Sequence, residues 1–340
     1  MKKLFSILAE DAGEIVNKID FSEIGGKTVL ITGASGLIGV YFLASLKQAS
    51  KALKFKVVAV MQSPPVDVLK ELLDFDGAEF LCGDLTDRRF CENLPNADFV
   101  IHAAGYGQPG RFMQNPVKVL KLNTAVTFSL LDKLNADGKF LFVSSGHVYS
   151  GLTKLPFKES DIGISNTTHP RSCYIEGKRC GEAICNAYRS RGVKAKSARL
   201  SFTYGPGARR GDTRVLYAFI EKGLKGGIDL LDGGEANRTY CYVADAVEIM
   251  WKILFLGNEP IYNVGGRSQI TVGELAIKIG KKMGVPVVFP KNPKGLAGAD
   301  EEAKLDMTKV ALEFGKTDYI SLDEGLARTI EWQKELYKAS

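Results

Sequence analysis

Three glycines, at positions 33, 36 and 39, constrain this chain more than any other feature. They stand in Gly33-Ala34-Ser35-Gly36-Leu37-Ile38-Gly39. The apolar run Thr28-Val29-Leu30-Ile31-Thr32 comes directly before them, and a helical pattern lasting to about Gln48 comes directly after. In a strand–turn–helix unit of this kind, glycine lets the chain turn tightly, lets the backbone approach a ligand, and lets helix and strand pack closely. The helix N-terminus then presents free N–H groups and the positive end of its dipole, which suits a pyrophosphate. The turn predicts a dinucleotide site that uses Gly33, Ser35, Gly36, Leu37, Ile38 and Gly39.

The alternation continues along the chain. Lys56-Val57-Val58-Ala59-Val60-Met61, Glu79-Phe80-Leu81-Cys82 and Phe99-Val100-Ile101-His102-Ala103 read as the second to fourth strands. A helix around residues 116–135 leads to a fifth strand at 139–144, and a helix at 174–191 leads to a sixth at 193–200. Apolar strands alternating with helices imply an α/β fold, a Rossmann-type doubly wound parallel sheet covered on both faces. That dinucleotide-binding domain takes residues 25–204. Residues 1–24 read as an amphipathic helical extension, with Leu4, Ile7, Leu8, Ile15 and Ile19 near a helical period, serving packing or a dimer contact. Residues 205–340 are richer in glycine and loops, with short helices near 213–225, 243–255, 271–284 and 322–337. They read as a smaller C-terminal lobe that binds substrate, and the chain is free to cross between the lobes.

Composition narrows the class. A chain of 340 residues with 45% hydrophobic and 25% charged residues is an ordinary globular protein. Its net charge of +6 fits an anionic small substrate, but the basic residues are dispersed and form no block interleaved with aromatics, which argues against nucleic acid. None of the six cysteines forms a CxxC pair or a Cys/His cluster of zinc-site spacing, so no metal is expected and the thiols read as reduced. Cys173, beside the candidate catalytic tyrosine, reads as a packing residue. The apolar run after Met1-Lys2-Lys3 stops at Glu10-Asp11, too early for a signal peptide. No stretch approaches the ~18 apolar residues of a membrane span, and a cytoplasmic enzyme is the expectation.

The rest of the cofactor site lies along the strand ends. A ribose-binding acid belongs at the end of the second strand. Here that stretch is Val60-Met61-Gln62-Ser63, with Gln62 or Ser63 left to bond the ribose hydroxyls. No arginine or lysine stands there for a 2′-phosphate, which favours NAD and leaves NADP open. Asp84 and Leu85 end the third strand. Asp84 reads either as an acceptor for the adenine amine or as a helix cap. His102-Ala103-Ala104-Gly105 closes the fourth strand with the small residues that a dinucleotide needs to pass, His102 being structural.

A second constellation carries chemistry. Tyr174-Ile175-Glu176-Gly177-Lys178 puts tyrosine and lysine at i and i+4 on one helix face. A tyrosine near its free pKa of about 10 is a poor base, and an adjacent ammonium together with an oxidised nicotinamide favours the phenolate. Ser145, at the carboxyl end of the fifth strand, is placed to bond a substrate hydroxyl. The trio predicts removal of a hydride and a proton from a substrate hydroxyl.

Together these segments resemble the extended short-chain dehydrogenase/reductase family, in its NAD-dependent nucleotide-sugar epimerase/dehydratase branch. The likeness runs from about Lys27 to Trp332. Beyond the motifs above it includes Asn123, Val143-Ser144-Ser145-Gly146-His147-Val148-Tyr149, Tyr204-Gly205-Pro206-Gly207 and Arg238-Thr239-Tyr240-Cys241-Tyr242-Val243-Ala244-Asp245. The resemblance implies a nucleoside-diphosphate-sugar substrate, a 4-keto-sugar intermediate and a further contact from Lys178 to the nicotinamide ribose. It places Asn123 in support of the fourth and fifth strands within the cofactor site, and Arg238 on the substrate diphosphate. It also implies a homodimer through residues 116–135 and 174–190.

The wording is nearest to UDP-glucuronate decarboxylases, through Pro170-Arg171-Ser172-Cys173-Tyr174 and Gly211-Asp212-Thr213-Arg214-Val215. That nominates Arg171, Arg214 and Val215 for substrate. Those enzymes carry Glu two residues after the catalytic Ser/Thr, and the 4,6-dehydratases carry an Asp-Glu pair. This chain has Gly146-His147 there. His147 reads either as a proton shuttle at the keto intermediate or as a satisfied loop histidine. With both carboxylates absent, the expectation is an epimerase first, a UDP-glucuronate decarboxylase second, then a 4,6-dehydratase or 4-ketoreductase. A non-catalytic NAD-binding module comes last, because Tyr174, Lys178 and Ser145 are all present.

Overall fold

The computed structural model describes residues 2–291 and 302–338. The first six strands fall in the predicted order: β1 (Thr28–Thr32), β2 (Lys56–Met61), β3 (Ala78–Cys82), β4 (Ala97–His102), β5 (Leu134–Ser145) and β6 (Lys194–Leu200). Both faces of each central strand are apolar, and alternate residues serve different cores. Val29, Ile31, Phe99, Ile101, Leu141 and Val143 pack into one hydrophobic cluster. Leu30, Val100, Phe140 and Phe142 pack into another, on the opposite face. A strand buried on both sides needs helices on both sides, which is what a doubly wound sheet provides.

The sheet has seven parallel strands. From one edge they are Ile261–Val264, β6, β5, β4, β1, β2 and β3. Strand order reverses between β1 and β4, where Thr32 lies level with His102. Sheets of this kind bind ligands in the crevice at the carboxyl ends of the strands flanking such a reversal.

The edge strand Ile261–Val264 comes from the part of the chain read as the smaller lobe. The helix just before it, Val243–Leu256, is buried along most of its length and packs beneath β5 and β6. Residues 243–264 thus return to the large sheet. Around them, Asn237–Tyr242 pairs with Phe202–Tyr204, Ser268–Thr271 and Glu302–Ala303, and Ile228–Asp229 pairs with Val287–Val288.

Two boundaries differ from the sequence pattern. The helix expected over 116–135 is two helices, Pro116–Asn123 and Ala125–Leu131, which meet at Thr124 with φ −116° and ψ −81°. Thr124 Oγ1 bonds back to the Leu120 carbonyl at 2.8 Å, a local competitor for helical bonding. Residues 134–138 belong to β5, not to the helix. Leu134 lies opposite Ala97 and Lys139 opposite Phe99, and the surplus residues loop out through Asp137 at φ 62°.

The N-terminal helix, Lys2–Asn17, is a packing element. Leu4, Leu8, Ala12 and Ile15 are buried, against the helices Leu37–Ala49, Val243–Leu256 and Leu322–Lys338. Asp11 sits fully buried at the junction. It accepts from the hydroxyls of Tyr41 (2.5 Å) and Tyr242 (2.7 Å) and pairs with Arg328.

Candidate active site

The glycine turn touches the opposite side of the crevice. Gly33 has φ +70°, and a Cβ there would lie 2.6 Å from the Ala103 carbonyl and the Ala104 nitrogen. The turns after β1 and β4 therefore meet backbone to backbone. A Cβ on Gly39 would lie 2.4 Å from the Gly33 carbonyl oxygen, so the helix Leu37–Ala49 also rests on the turn. No side chain caps that helix at its N-cap, Gly36, which leaves the helix start open to an anionic ligand.

From the turn a cleft of about 1280 Å³ runs across the strand ends to the later chain. Single-ligand pockets usually hold roughly 300–1,000 Å³, so this one has room for a dinucleotide and a second molecule. The nominated residues Gly33, Ser35, Gly36, Leu37, Ile38, Gly39, Gln62, Asp84, Leu85, Ala103, Ala104 and Gly105 line the cofactor end. Ser145, His147, Arg171, Tyr174, Lys178, Arg214, Val215 and Arg238 line the rest. Asn123 does not line it. Asn123 is buried, donates to the Val119 carbonyl at 2.8 Å, and packs against Gly177 of the helix Ser172–Arg189. Among the described residues, no group of three His, Cys, Asp or Glu side chains is placed to hold a metal ion.

Tyr174 and Lys178 project from one face of the helix Ser172–Arg189. The Tyr174 ring stacks on Phe112, with centroids 4.7 Å apart and planes at 12°. Cys173, next to it, is buried in the same small cluster with Phe112 and Val119. Burial raises the Tyr174 pKa, while hydrogen bonding with Ser145 and the charge of Arg214 act the other way. Lys178 Nζ donates to the Val143 carbonyl at 2.7 Å and lies 5.8 Å from the Tyr174 ring centroid. Burial depresses Lys178 to about 7, against the pull of Glu182.

Ser145 ends β5. Its Oγ accepts from the His147 backbone N–H at 3.2 Å and lies 3.2 Å from His147 Nδ1. Below this layer a buried network ties the helix to the sheet. Arg199 of β6 pairs with Glu182 through contacts of 2.8–3.2 Å, Ser144 donates to Glu182 at 2.5 Å, and Arg199 also donates to the Tyr149 hydroxyl at 2.9 Å.

The other nominated groups are already engaged. Asp84 accepts from the Thr86 N–H and hydroxyl and from Lys118 at 2.6 Å, while Asp87 caps the helix Arg88–Glu92. Asp84 is thus a turn former, not a helix cap. His102 holds two elements together. Its Nε2 bonds the Leu122 carbonyl at 2.8 Å, so Nδ1 accepts from Thr32 Oγ1 at 2.7 Å, and burial lowers its pKa to about 4. Arg214 is bound by Asp212 and lies over the Tyr217 ring. Arg238 lies 4.9 Å over the Phe202 ring, and its Nε is buried with no hydrogen-bond partner.

Some cleft residues lie outside every motif. Arg209 reaches from the later chain to the Ser35 carbonyl at 3.1 Å, and Thr213 bonds Gln108 at 3.1 Å, so two contacts bridge the cleft. Arg111 and Arg210 also line it. Six arginines face three carboxylates, Asp84, Asp212 and Glu235, an excess suited to a diphosphate ligand. The only sequence signal for Arg209 was its position just after Tyr204-Gly205-Pro206-Gly207.

A glycine turn at the switch point, facing a Tyr–Lys pair and a strand-end serine, defines an enzyme of the extended short-chain dehydrogenase/reductase class. The chain belongs to the NAD dependent epimerase/dehydratase family, whose model matches residues 29–265. It is 30% identical over 301 residues to UDP-glucuronic acid decarboxylase 6 of Arabidopsis thaliana, covering 88% of this chain and 86% of that one. It is 26% identical to a dTDP-4-dehydro-6-deoxy-D-allose reductase of a Streptomyces species, covering 91% of this chain and 97% of the other. Among solved structures it superposes on an epimerase of Methanothermobacter thermautotrophicus, with a TM-score of 0.81, 25% identity and 96% of each chain covered. It also superposes on a UDP-glucose 4-epimerase of Thermotoga maritima with UDP-glucose, with a TM-score of 0.78, 27% identity, and 91% and 99% of the two chains covered. The chain is therefore an NAD-dependent enzyme of the nucleotide-sugar epimerase, dehydratase and decarboxylase group. The close backbone approach at Gly33 and the open helix start at Gly36 fit that cofactor.

Proposed function

We propose that this enzyme oxidises C4 of a nucleoside-diphosphate sugar and returns the hydride with inverted configuration, as an epimerase. One observation carries the choice: the residue touching Ser145 at the catalytic end is the imidazole of His147. Dehydration requires an acid at the leaving hydroxyl, and a carboxylate normally supplies it. Of the three carboxylates lining the cleft, Asp84 is taken by Lys118 and Thr86 and Asp212 by Arg214, which leaves Glu235 as the remaining candidate.

In this reading Tyr174 accepts the proton of the C4 hydroxyl while Ser145 hydrogen-bonds the same oxygen. NAD, when bound, supplies the hydride acceptor and donor. Lys178 holds positive charge near the phenolate, and Arg214 adds to it. Arg238, whose buried Nε has no hydrogen-bond partner among the described residues, takes a diphosphate oxygen, and Arg171 adds positive charge to the same cleft. Val215 starts the helix Val215–Leu224 and shapes the wall next to Arg214. Exposed Val117, Leu120 and Phe128 on the helices Pro116–Asn123 and Ala125–Leu131 support a homodimer through that face.

A second reading, UDP-glucuronate decarboxylase, is favoured by the 30% identity to such an enzyme and by the arginine excess in the cleft. Product analysis decides between them. The purified enzyme, incubated with UDP-glucose, UDP-galactose, UDP-glucuronate and the dTDP-hexoses, is expected to give a product of unchanged mass that separates from its substrate. Release of carbon dioxide with formation of UDP-xylose overturns the epimerase and establishes the decarboxylase.

A further inference from the structure

Tyr174 must lose its own proton before it can accept one from a sugar, and its surroundings resist that loss. Tyr174 is half-buried, which raises its pKa, and the nearby Lys178 Nζ donates to the Val143 carbonyl at 2.7 Å. The polar contact that the hydroxyl does make is with Ser145. Ser145 in turn meets His147 at both the backbone N–H and Nδ1. The His147 ring stands at 90° to the Tyr174 ring with centroids 5.6 Å apart, and its other side faces Phe202 at 6.5 Å. Ser145 thus stands between Tyr174 and the imidazole of His147. The charged groups near these three residues are Lys178 and Arg214 beside Tyr174 and Arg238 on the Phe202 ring.

We propose that His147 is the proton acceptor for Tyr174, reached through the hydroxyl of Ser145. The step moves one proton and no other atoms. The Tyr174 O–H bond breaks as Ser145 Oγ gains that proton, and the original Ser145 proton passes to His147 Nδ1. Phenolate and imidazolium remain, and the reverse step restores both neutral groups. The chemistry explains why an imidazole suits this place: imidazole can take a proton and give it back near neutrality, whereas a carboxylate would set a negative charge beside the phenolate it has to help form. The proposal rests on Tyr174 as the base, as above, and is independent of the identity of the sugar and of the fate of the oxidised intermediate.

The relay requires His147 to rest as the Nε2–H tautomer, with Nδ1 accepting from Ser145. The chain has three histidines, so nitrogen NMR of histidine-labelled, NAD-loaded enzyme can assign His147 by the signal that His147→Asn removes. The expected result is the Nε2–H tautomer. In turnover, His147→Asn keeps a polar atom at the δ position but cannot take a proton, so kcat should fall about a hundredfold with KM little changed. Added imidazole should restore part of the rate of His147→Ala. An Nδ1–H tautomer in the resting enzyme, or undiminished kcat in His147→Asn, overturns the relay. The tautomer is read without substrate, so an unexpected product refutes the epimerase reading and leaves this result standing.

Discussion

At its cofactor end the cleft is made of main chain, and at its sugar end it is made of side chains. Gly33 and Gly39 bring backbone against backbone, and the helix start at Gly36 offers N–H groups with no side chain between them and a ligand. At the other end Tyr174, Ser145, His147, Arg214 and Arg238 are each held by a different neighbour: Phe112, the His147 backbone, the Tyr174 ring, Asp212 and Phe202. A site made of backbone has little freedom to vary, because the chain path itself is the binding group. A site made of side chains can be rebuilt one residue at a time. This contrast explains how one scaffold hosts several reactions while its cofactor stays the same.

The contrast can be broken first at Gly33. Gly33→Val forces a β-branched residue to φ +70° and into the Ala103 carbonyl, and should cost more than about 3 kcal/mol and abolish NAD binding. Thermal melts and the NAD content after gel filtration check this, and a stable NAD-loaded variant would refute a main-chain site. Tyr174→Phe removes one oxygen from the side-chain half. Turnover should fall roughly 10²- to 10⁴-fold while NAD content and melting temperature hold. Glu182→Gln lies beneath the side-chain half, where Glu182 holds Arg199 and Ser144. It leaves Arg199 buried beside a neutral partner, and urea titration should show a loss of about 3 kcal/mol.

The buried lysines supply a pH test. Burial holds Lys178 at about 7 and Lys196 at about 8, below lysine's ordinary 10.5. Between those values and 10.5 the unfolded chain binds more protons than the folded one. Stability of the NAD-free protein should therefore rise with pH through that window, and the penalty should be complete below it. Melts across the window check this, and Lys178→Met should flatten part of the rise. The smallest effect is expected at Arg209, whose bond to the Ser35 carbonyl is a side-chain addition to the main-chain half. Arg209→Ala should raise the NAD dissociation constant about two- to tenfold, measured by calorimetry.

The same contrast governs what the sequence made legible. The strand–turn–helix unit and the Tyr174–Lys178 pair are local in sequence, and their spacing alone implies a shape. The order of β1 to β6 is legible for the same reason. Asn123 carries a cofactor reading from its motif, and what the motif does not say is that its Nδ2 donates to the Val119 carbonyl one helical turn back. Asp84 left two readings open, and neither included Lys118, which is 34 residues away. Helix 116–135 looked continuous because nothing in its apolar pattern marks Thr124, whose hydroxyl bonds the Leu120 carbonyl where one helix gives way to the next. Arg111 carried no signal and Arg209 only its place after Tyr204-Gly205-Pro206-Gly207, since a lone arginine becomes a site residue only through a fold that brings distant segments together.

Asp11 has a consequence for how the molecule is made. Its partners lie 30, 231 and 317 positions further along, at Tyr41, Tyr242 and Arg328. At synthesis rates of about 5–20 residues per second, the N-terminal helix spends roughly 15–60 s in the open before Arg328 is made. During that interval Leu4, Leu8 and Ile15 lack the last helix that covers them. The helix is locked only once a segment made 317 residues later is in place, so a ribosome-bound nascent chain should expose it to protease until the Arg328 segment clears the exit tunnel.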